Sequence, residues 1–516
     1  MQNLTNEQQD VVAALGCRER LKVYALAGTG KTTTLKAIAA LNPHQKMLYL
    51  AFNKAIADEA KGKFPPNVEV RTVHSLAYAH LGRLYRDRLS RLDYFEIAEA
   101  LGMPVKAVFE KIHYFQAFLN SGCPLDRGDI AALLGRQGAM GADSLADFII
   151  RLFQALKNGS LQVDHSFYLK DFQLNFKSFG LSGAYDVVLL DEGQDVNPVI
   201  LSIFEQFQAR KIMVGDKHQK IYGFRGAINA IEEFTADETL YLTRTFRFNG
   251  QEQVQAVNEL LFHLKCEDNL MRPVATSRNG GKSTGCVITR SNAKLIETLL
   301  ENPSLKTVRH PGQYFERFFN VFARKIRVPD TESGQMTFGN YLRGLKDMAE
   351  TVGDLDLSSS IKLIKRNGCD LGMFKYLYGK AMNNFKNGGS TYLGTAHSTK
   401  GLEFDLVRLT DDFKTPRDIL EQLLEDHPEL YRRRGNGYQD YQDKVLIRRA
   451  DLRNVFARLD DELIKEEINL LYVALTRAKK EIEIPRKYLI SAEYVVDVKE
   501  SSKSRSMVAA SREPLF

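Results

Sequence analysis

Residues 21–41 read LKVYALAGTGKTTTLKAIAAL. The first six positions form an apolar run of the kind that makes a buried strand, and from Lys31 onward the pattern is helical. Gly28 and Gly30 permit a tight turn between the two and a close approach of backbone to a ligand. A strand that turns through glycines into a helix N-terminus presents successive N–H groups to an anion, so the turn Ala27-Gly28-Thr29-Gly30-Lys31-Thr32-Thr33 is a candidate phosphate cradle. The first glycine of the strict eight-residue pattern is replaced by Ala25. Lys31 would neutralise phosphate charge and Thr32 would hold Mg²⁺. A plain glycine turn followed by a chance Lys-Thr pair is the bland alternative for this segment alone.

Similar apolar runs recur outward from that stretch: KMLYLAF from Lys46, YDVVLLD from Tyr185 and KIMVGD from Lys211. Helical patterns lie between them, and this alternation predicts a doubly wound α/β core. Between about Leu76 and Phe179 the pattern becomes amphipathic helix with Gly and Pro punctuation, as in RLYRDRLSRLDYFEIAEALGMP from Arg83, so a helical insertion is expected there. A second set of strands is expected at GCVITR (from Gly285), TYLGTAH (from Thr391) and FDLVRLT (from Phe404), interrupted by helix from about residue 305 to 389. No internal repeat is expected. The fold class is therefore α/β, with two parallel-sheet cores that each carry a mostly helical insertion. The expected division is 1–75 with 180–245 for the first core, 76–179 for its insertion, 246–304 with 390–495 for the second core and 305–389 for its smaller insertion. Residues 496–516, rich in Ser, Lys and Arg, are expected to form a disordered basic tail.

Composition bounds the function. The chain has 516 residues, 44% hydrophobic, with a net charge of +7 but both signs intermixed, which allows a polyanionic partner through local basic tracks. Cys17, Cys123, Cys266, Cys286 and Cys369 are scattered without a C-x-x-C pair, so neither a zinc ribbon nor a disulfide framework is indicated. No apolar run approaches a membrane span and the start, MQNLTNEQQD, is polar, so no membrane contact is expected and the expected location is cytoplasmic, nucleoid-associated or nuclear according to host.

The second chemical signal is DEGQD at Asp191–Asp195. Two carboxylates directly after an apolar run emerge at the carboxyl end of a central strand, beside the phosphate turn. Asp191 would complete the Mg²⁺ shell and Glu192 would polarise an attacking water. Alone, such an acidic turn is often only a surface loop.

Taken in order, these segments resemble the UvrD/Rep family of superfamily 1 DNA helicases. LTNEQQ (from Leu4) resembles the Q motif, RTVHSLA (from Arg71) the GTFHSL segment, and VGDKHQKIYGFRGA (from Val214) the most specific motif of the set. TRTFRF (from Thr243), GTAHSTKGLEFDLV (from Gly394) and EEINLLYVALTRAKK (from Glu466) resemble three further motifs. The resemblance implies two RecA-like motor cores using ATP and Mg²⁺. By the same resemblance Gln8 reads adenine, Phe246 stacks on it, Glu403 lies near the ribose, and Gln219, Arg247 and Arg477 address the γ-phosphate. It further implies DNA contacts from Thr72, His74, Tyr222, Phe224, Arg225, His397 and Lys400. Singly, these histidines, the phenylalanine and Arg477 read as ordinary structural residues; their order and spacing carry the resemblance.

The implied activity is ATP-driven 3′ to 5′ movement on single-stranded DNA and at single-strand/duplex junctions, in repair, recombination or replication. Recombination or replication proteins are the implied partners, and the chain is expected to be a monomer or weak oligomer. Alternatives are a motor that strips recombinase filaments and unwinds poorly, a nucleotide-gated DNA-binding module that does not cycle, and, more remotely, a phosphate-loop kinase. GFRGAINAI, TFRF and AFNKAIADEA resemble the F-box DNA helicase branch, with no F-box and no nuclease domain expected from the chain's ends. In AFNKAIADEA, Phe52 sits one residue nearer Asn53-Lys54 than the family's usual phenylalanine, a shift that reverses the face on a strand. The stretch from about 411 to 465 includes the basic, aromatic cluster YRRRGNGYQDYQDK (from Tyr431), for which a solvated loop and a single-strand grip are the two readings.

Overall fold

The structure is a computed structural model that describes residues 4–159, 161–221, 223, 229–248, 251–274, 284–326, 336–352, 355–426, 439–441, 444–459 and 461–497. Tyr222, Phe224 and Arg225, most of the YRRRGNGYQDYQDK cluster and the tail from 498 onward lie outside these residues. The chain divides after Thr243 into two compact units.

The first unit is built on six parallel strands: β1 (Arg20–Ala25), β2 (Met47–Ala51), β3 (Val68–Thr72), β4 (Val187–Leu190), β5 (Arg210–Gly215) and β6 (Glu238–Leu242), in the order β3-β2-β4-β5-β1-β6. Alternate residues feed two different cores, as the two-residue period of a strand requires. Met47, Tyr49, Ala51, Val187, Leu189, Ile212 and Val214 pack on one side with Leu35 and Ile38 of the helix that follows β1. Leu48, Leu50, Val188, Leu190 and Met213 pack on the other, continuous with the helical segment between β3 and β4. With both faces covered, the central strands read as unbroken apolar runs.

That helical segment forms for local reasons. Asp93, Asp126 and Asp164 cap three of its helices, each accepting from first-turn amides. In Ala142–Asn158, Leu145, Ala146, Phe148, Ile149, Leu152, Phe153 and Leu156 are buried at spacings of three and four, giving one apolar stripe. Lys170 is fully buried, with its ammonium held by the carbonyls of Ser121 and Cys123 and lying 4.4 Å from the centre of the Phe118 ring.

The second unit opens with a short parallel pair, β7 (Arg244–Thr245) and β8 (Arg272–Pro273). Its main sheet has five parallel strands, β9 (Gly285–Thr289), β10 (Lys306–Thr307), β11 (Thr391–Thr395), β12 (Phe404–Leu409) and β15 (Ala478–Glu483), in the order β10-β11-β9-β12-β15. Helices between residues 292 and 387 share a core with Val287 and Leu393. A separate antiparallel sheet joins β13 (Gln439–Tyr441), β14 (Lys444–Arg448) and β16 (Glu493–Asp497) in the order β13-β14-β16. Val496 is fully buried opposite Val445, so the chain is still strand two residues into the stretch read as a tail. Sheet pairing with a distant partner outweighs local composition there. Among the described residues no helix is long and apolar enough to cross a membrane.

Candidate functional site

In the first unit the phosphate turn joins β1 to the helix Lys31–Leu41. Gly28 (φ 75°) and Gly30 (φ 82°) are both left-handed, a conformation that costs a residue with a Cβ roughly 1–2 kcal/mol. Gly30 is the N-cap and offers no side chain to the first-turn amides. The Thr29 hydroxyl donates to Leu26 O (2.8 Å) and closes the turn from inside. Gln8 is buried; its amide donates to Thr29 O (3.3 Å) and its oxygen accepts from Thr5 N (3.0 Å), which ties the turn to the N-terminal helix Asn6–Ala14. Lys31, Thr32 and Thr33 are partly exposed on the first turn.

Asp191 and Glu192 follow β4 directly. Asp191 is enclosed; Tyr49 donates its hydroxyl to Oδ2 at 2.6 Å and Glu192 N donates to Oδ1 at 2.9 Å. Burial and then the Glu192 charge push the Asp191 carboxyl above the usual range, with Lys31 and the Tyr49 hydrogen bond opposing them. Burial, reinforced by Asp191, holds the Tyr49 phenol well above its ordinary value, so it stays a donor. Glu192 is itself left-handed (φ 55°, ψ 44°), a strained setting for a residue with a side chain. The hydroxyl and carboxylate oxygens of Thr32 and Asp191 are the hard donors that Mg²⁺ takes. Among the described residues no group of three or more His, Cys, Asp or Glu is arranged to hold a metal.

Gln219 is buried after β5, and its amide donates to Asp216 Oδ2 at 2.7 Å. Thr72 ends β3 and caps the helix Val73–Tyr85 by a reciprocal pair of bonds with Ser75. His74 sits in that first turn, edge-on to Tyr168 with ring centres 6.2 Å apart. Burial and then His165 lower its pKa to about 4, so the ring is neutral near pH 7. Phe52 falls just past β2, in a bend, so strand alternation does not decide its direction.

In the second unit three motifs converge. Arg247 donates from Nε (3.1 Å) and Nη2 (2.6 Å) to Glu403 Oε1, and from Nη1 to Thr476 O (2.7 Å). Arg477 is 2% exposed and donates to Val473 O, Leu402 O and the Thr476 hydroxyl, thereby capping the helix Glu462–Leu475. Phe246 is partly buried beside Arg247. His397 and Lys400 lie at the short helix Ala396–Thr399, which Thr395 and Ser398 cap reciprocally. Thr-x-His-Ser thus occurs once per unit, at 72–75 and 395–398, each time as a strand-to-helix capping box.

Two family profiles match in tandem, one described as an AAA domain over residues 8–225 and one as a UvrD-like helicase C-terminal domain over residues 230–486. The chain belongs to the UvrD-like superfamily 1 helicases. It is 28% identical to F-box DNA helicase protein 1 of Schizosaccharomyces pombe, covering 93% of this chain and 57% of that protein. It is 25% identical to F-box DNA helicase 1 of Gallus gallus, covering 92% and 48% respectively. The chain thus spans about half the length of these curated relatives.

Sequence reasoning missed several residues that shape these candidate sites. Glu7 accepts from both the amide and the hydroxyl of Thr243, the first residue of TRTFRF, at 2.7 Å. Tyr49 gave no signal, being one aromatic in an apolar run. Gln194 and Asp216 stood inside quoted motifs, but their partners are set by which strands lie side by side.

Proposed function

We propose that this chain is an ATP-driven DNA motor that moves 3′ to 5′ along single-stranded DNA and acts at single-strand/duplex junctions in repair, recombination or replication. The observation that chiefly supports it is the shared setting in the first unit: a glycine-turned helix N-terminus with Lys31, an enclosed Asp191, a strained Glu192 and a buried Gln219. Both relatives carry the words DNA helicase in their names, which supports DNA as the track.

In this reading Lys31 and the amides of Ala27–Thr33 bind the phosphates. Thr32 and Asp191 hold Mg²⁺, which supplies charge neutralisation at the phosphates when bound. Glu192 orients the attacking water. Gln219, Arg247 and Arg477 are the γ-phosphate partners, Gln8 and Phe246 flank adenine, and Glu403 addresses the ribose. Glu403 and Arg247 hold each other in the structure, and that pair would be exchanged for nucleotide contacts. Thr72, His74, Tyr222, Phe224, Arg225, His397 and Lys400 contact DNA. The expected division into two cores, two insertions and a tail, and the chain acting as a monomer with recombination or replication partners, belong to the same proposal.

The test is steady-state ATP hydrolysis with and without an oligo-dT strand, with Lys31→Ala as control. Stimulation by DNA, reduced at least about 100-fold in the control, is expected, because Lys31 is a preorganised cation at the developing charge. Background hydrolysis with DNA present would replace the motor with a binding module that does not cycle. Unwinding of 5′-tailed but not 3′-tailed duplexes would reverse the polarity.

A further inference from the structure

The turns after β4 and β5 stand side by side because those strands pair in parallel, Leu190 opposite Met213. Gln194 lies in the first turn and is completely buried. Its amide nitrogen donates to Glu192 Oε2 (2.5 Å) and Asp195 Oδ2 (3.3 Å), while its oxygen accepts from Asp216 N (3.0 Å) in the second turn. This arrangement sets the amide's orientation. A flip would put its oxygen against two carboxylates and its NH2 against an N–H. Asp216, also buried, accepts from His218 N (3.1 Å) through Oδ1 and from the Gln219 side chain (2.7 Å) through Oδ2.

The packing is shaped around this amide. A Cβ on Gly215 would stand 2.5 Å from Gln194 Oε1 and 3.0 Å from Gly193 N, so only glycine lets the second turn close on Gln194. A Cβ on Gly193 would meet the Met213 side chain at 2.8 Å, which fixes the first turn from below. Glu192 is left-handed, and Gln194 bonds both its carboxylate and the neighbouring turn.

We infer that Gln194 is a positioning residue that aims Glu192 and couples it, through Asp216, to Gln219. The inference rests on the proposed reading of Glu192 as the water-orienting carboxylate and Gln219 as the γ-phosphate partner. Gln219 has one amide NH2, and Asp216 holds part of it. When that amide turns toward a phosphate, Asp216 loses a donor, and the Asp216 backbone carries the change to Gln194 and so to Glu192. The same segment continues into residues 222–225, assigned to DNA, so Gln194 stands between hydrolysis and strand grip.

The experiment uses the full chain with Gln194→Met, which keeps the volume and removes the bonds, and Gln194→Glu, which keeps the shape and sets a third carboxylate beside Glu192 and Asp195. Three quantities are read: kcat and ATP KM at saturating oligo-dT; oligo-dT affinity by fluorescence anisotropy in ADP against a non-hydrolysable ATP analogue; and the thermal midpoint. We expect kcat to fall about 10- to 100-fold, with ATP KM within about threefold, as for a group misaimed by a fraction of an ångström. The difference in oligo-dT affinity between the two nucleotides should collapse at temperatures well below each variant's midpoint, where both are folded. Wild-type kcat and an intact nucleotide-dependent affinity in both variants would overturn the inference. So would a loss of activity that only follows a lowered midpoint, since that is what a packing residue does. A wild-type chain whose hydrolysis ignores oligo-dT would instead overturn the motor reading and the coupling claim with it, a result distinguishable because it appears before any substitution.

Discussion

Asp191 and Glu192 are adjacent carboxylates in different settings. The first is enclosed and accepts from Tyr49; the second is turned into left-handed backbone. Tyr49 therefore holds Asp191, the proposed Mg²⁺ ligand, from behind, fixing its direction and favouring its charged form. Tyr49→Phe should raise the Mg²⁺ concentration for half-maximal hydrolysis about tenfold, in line with the usual cost of losing such a partner. A Mg²⁺ titration of both proteins checks this, and an unchanged midpoint would remove Tyr49 from the metal site. His74 carries a pH consequence. Its folded pKa of about 4 lies below the ordinary 6.5, so between these values the unfolded chain binds a proton that the fold does not. Its contribution to stability is complete above about pH 6.5 and declines as pH falls toward about 4. His74→Gln should flatten part of that decline, read as the difference between the two proteins' unfolding midpoints from pH 7.5 to 5.

At the scale of elements, both units place a histidine in the first turn of a helix that starts directly from a strand, with Thr and Ser closing the turn. The Ala396–Thr399 helix has four residues and little propagation to sustain it, so its cap carries more of its order than the cap of the 13-residue Val73–Tyr85 helix does. Thr395→Ala should cost about 0.5–2 kcal/mol of local stability. It should also weaken oligo-dT binding more than Thr72→Ala does, because His397 and Lys400 sit on or beside that short turn. Anisotropy titrations of the two variants decide it, and a larger loss from Thr72→Ala would reverse the argument. The strands explain why some elements were legible in the sequence and others were not. β2, β4 and β5 are covered on both faces and read as apolar runs, whereas β1 buries Leu21, Val23 and Ala25 and leaves Arg20, Lys22 and Tyr24 half-buried. β3, with VEVRT only half-buried along its length, and β6, with ETLYL partly exposed, lie at the sheet edges and carry a weaker pattern.

At the scale of the whole molecule, a net charge of +7 with both signs mixed would make the proposed DNA binding a matter of a few placed cations. The oligo-dT association constant should fall with salt on a log–log plot, and Lys400→Ala should reduce the slope by about 0.7, the value for one phosphate contact on a single strand. Affinity measured across a salt series checks it; a parallel line displaced downward would mean that Lys400 does not neutralise a phosphate.

By itself the sequence determined the family and the alternation of strand and helix, because both are local: a strand-to-helix glycine turn, an acidic strand end, and the order of short segments along the chain. It also placed Lys31, Asp191, Glu192 and Gln219 within recognisable motifs. Only the tertiary structure decided what those residues touch. Tyr49 reaches Asp191 because β2 pairs with β4, and Gln194 reaches Asp216 because β4 pairs with β5. Likewise Arg247 meets Glu403 and Thr476 across more than 150 residues of chain. A hydrogen bond needs two groups within about 3 Å, and sequence spacing constrains that distance only within a turn or two of helix or strand. Beyond that range the pairing of strands decides, and so the contacts that tune the site were not legible until the sheet was formed.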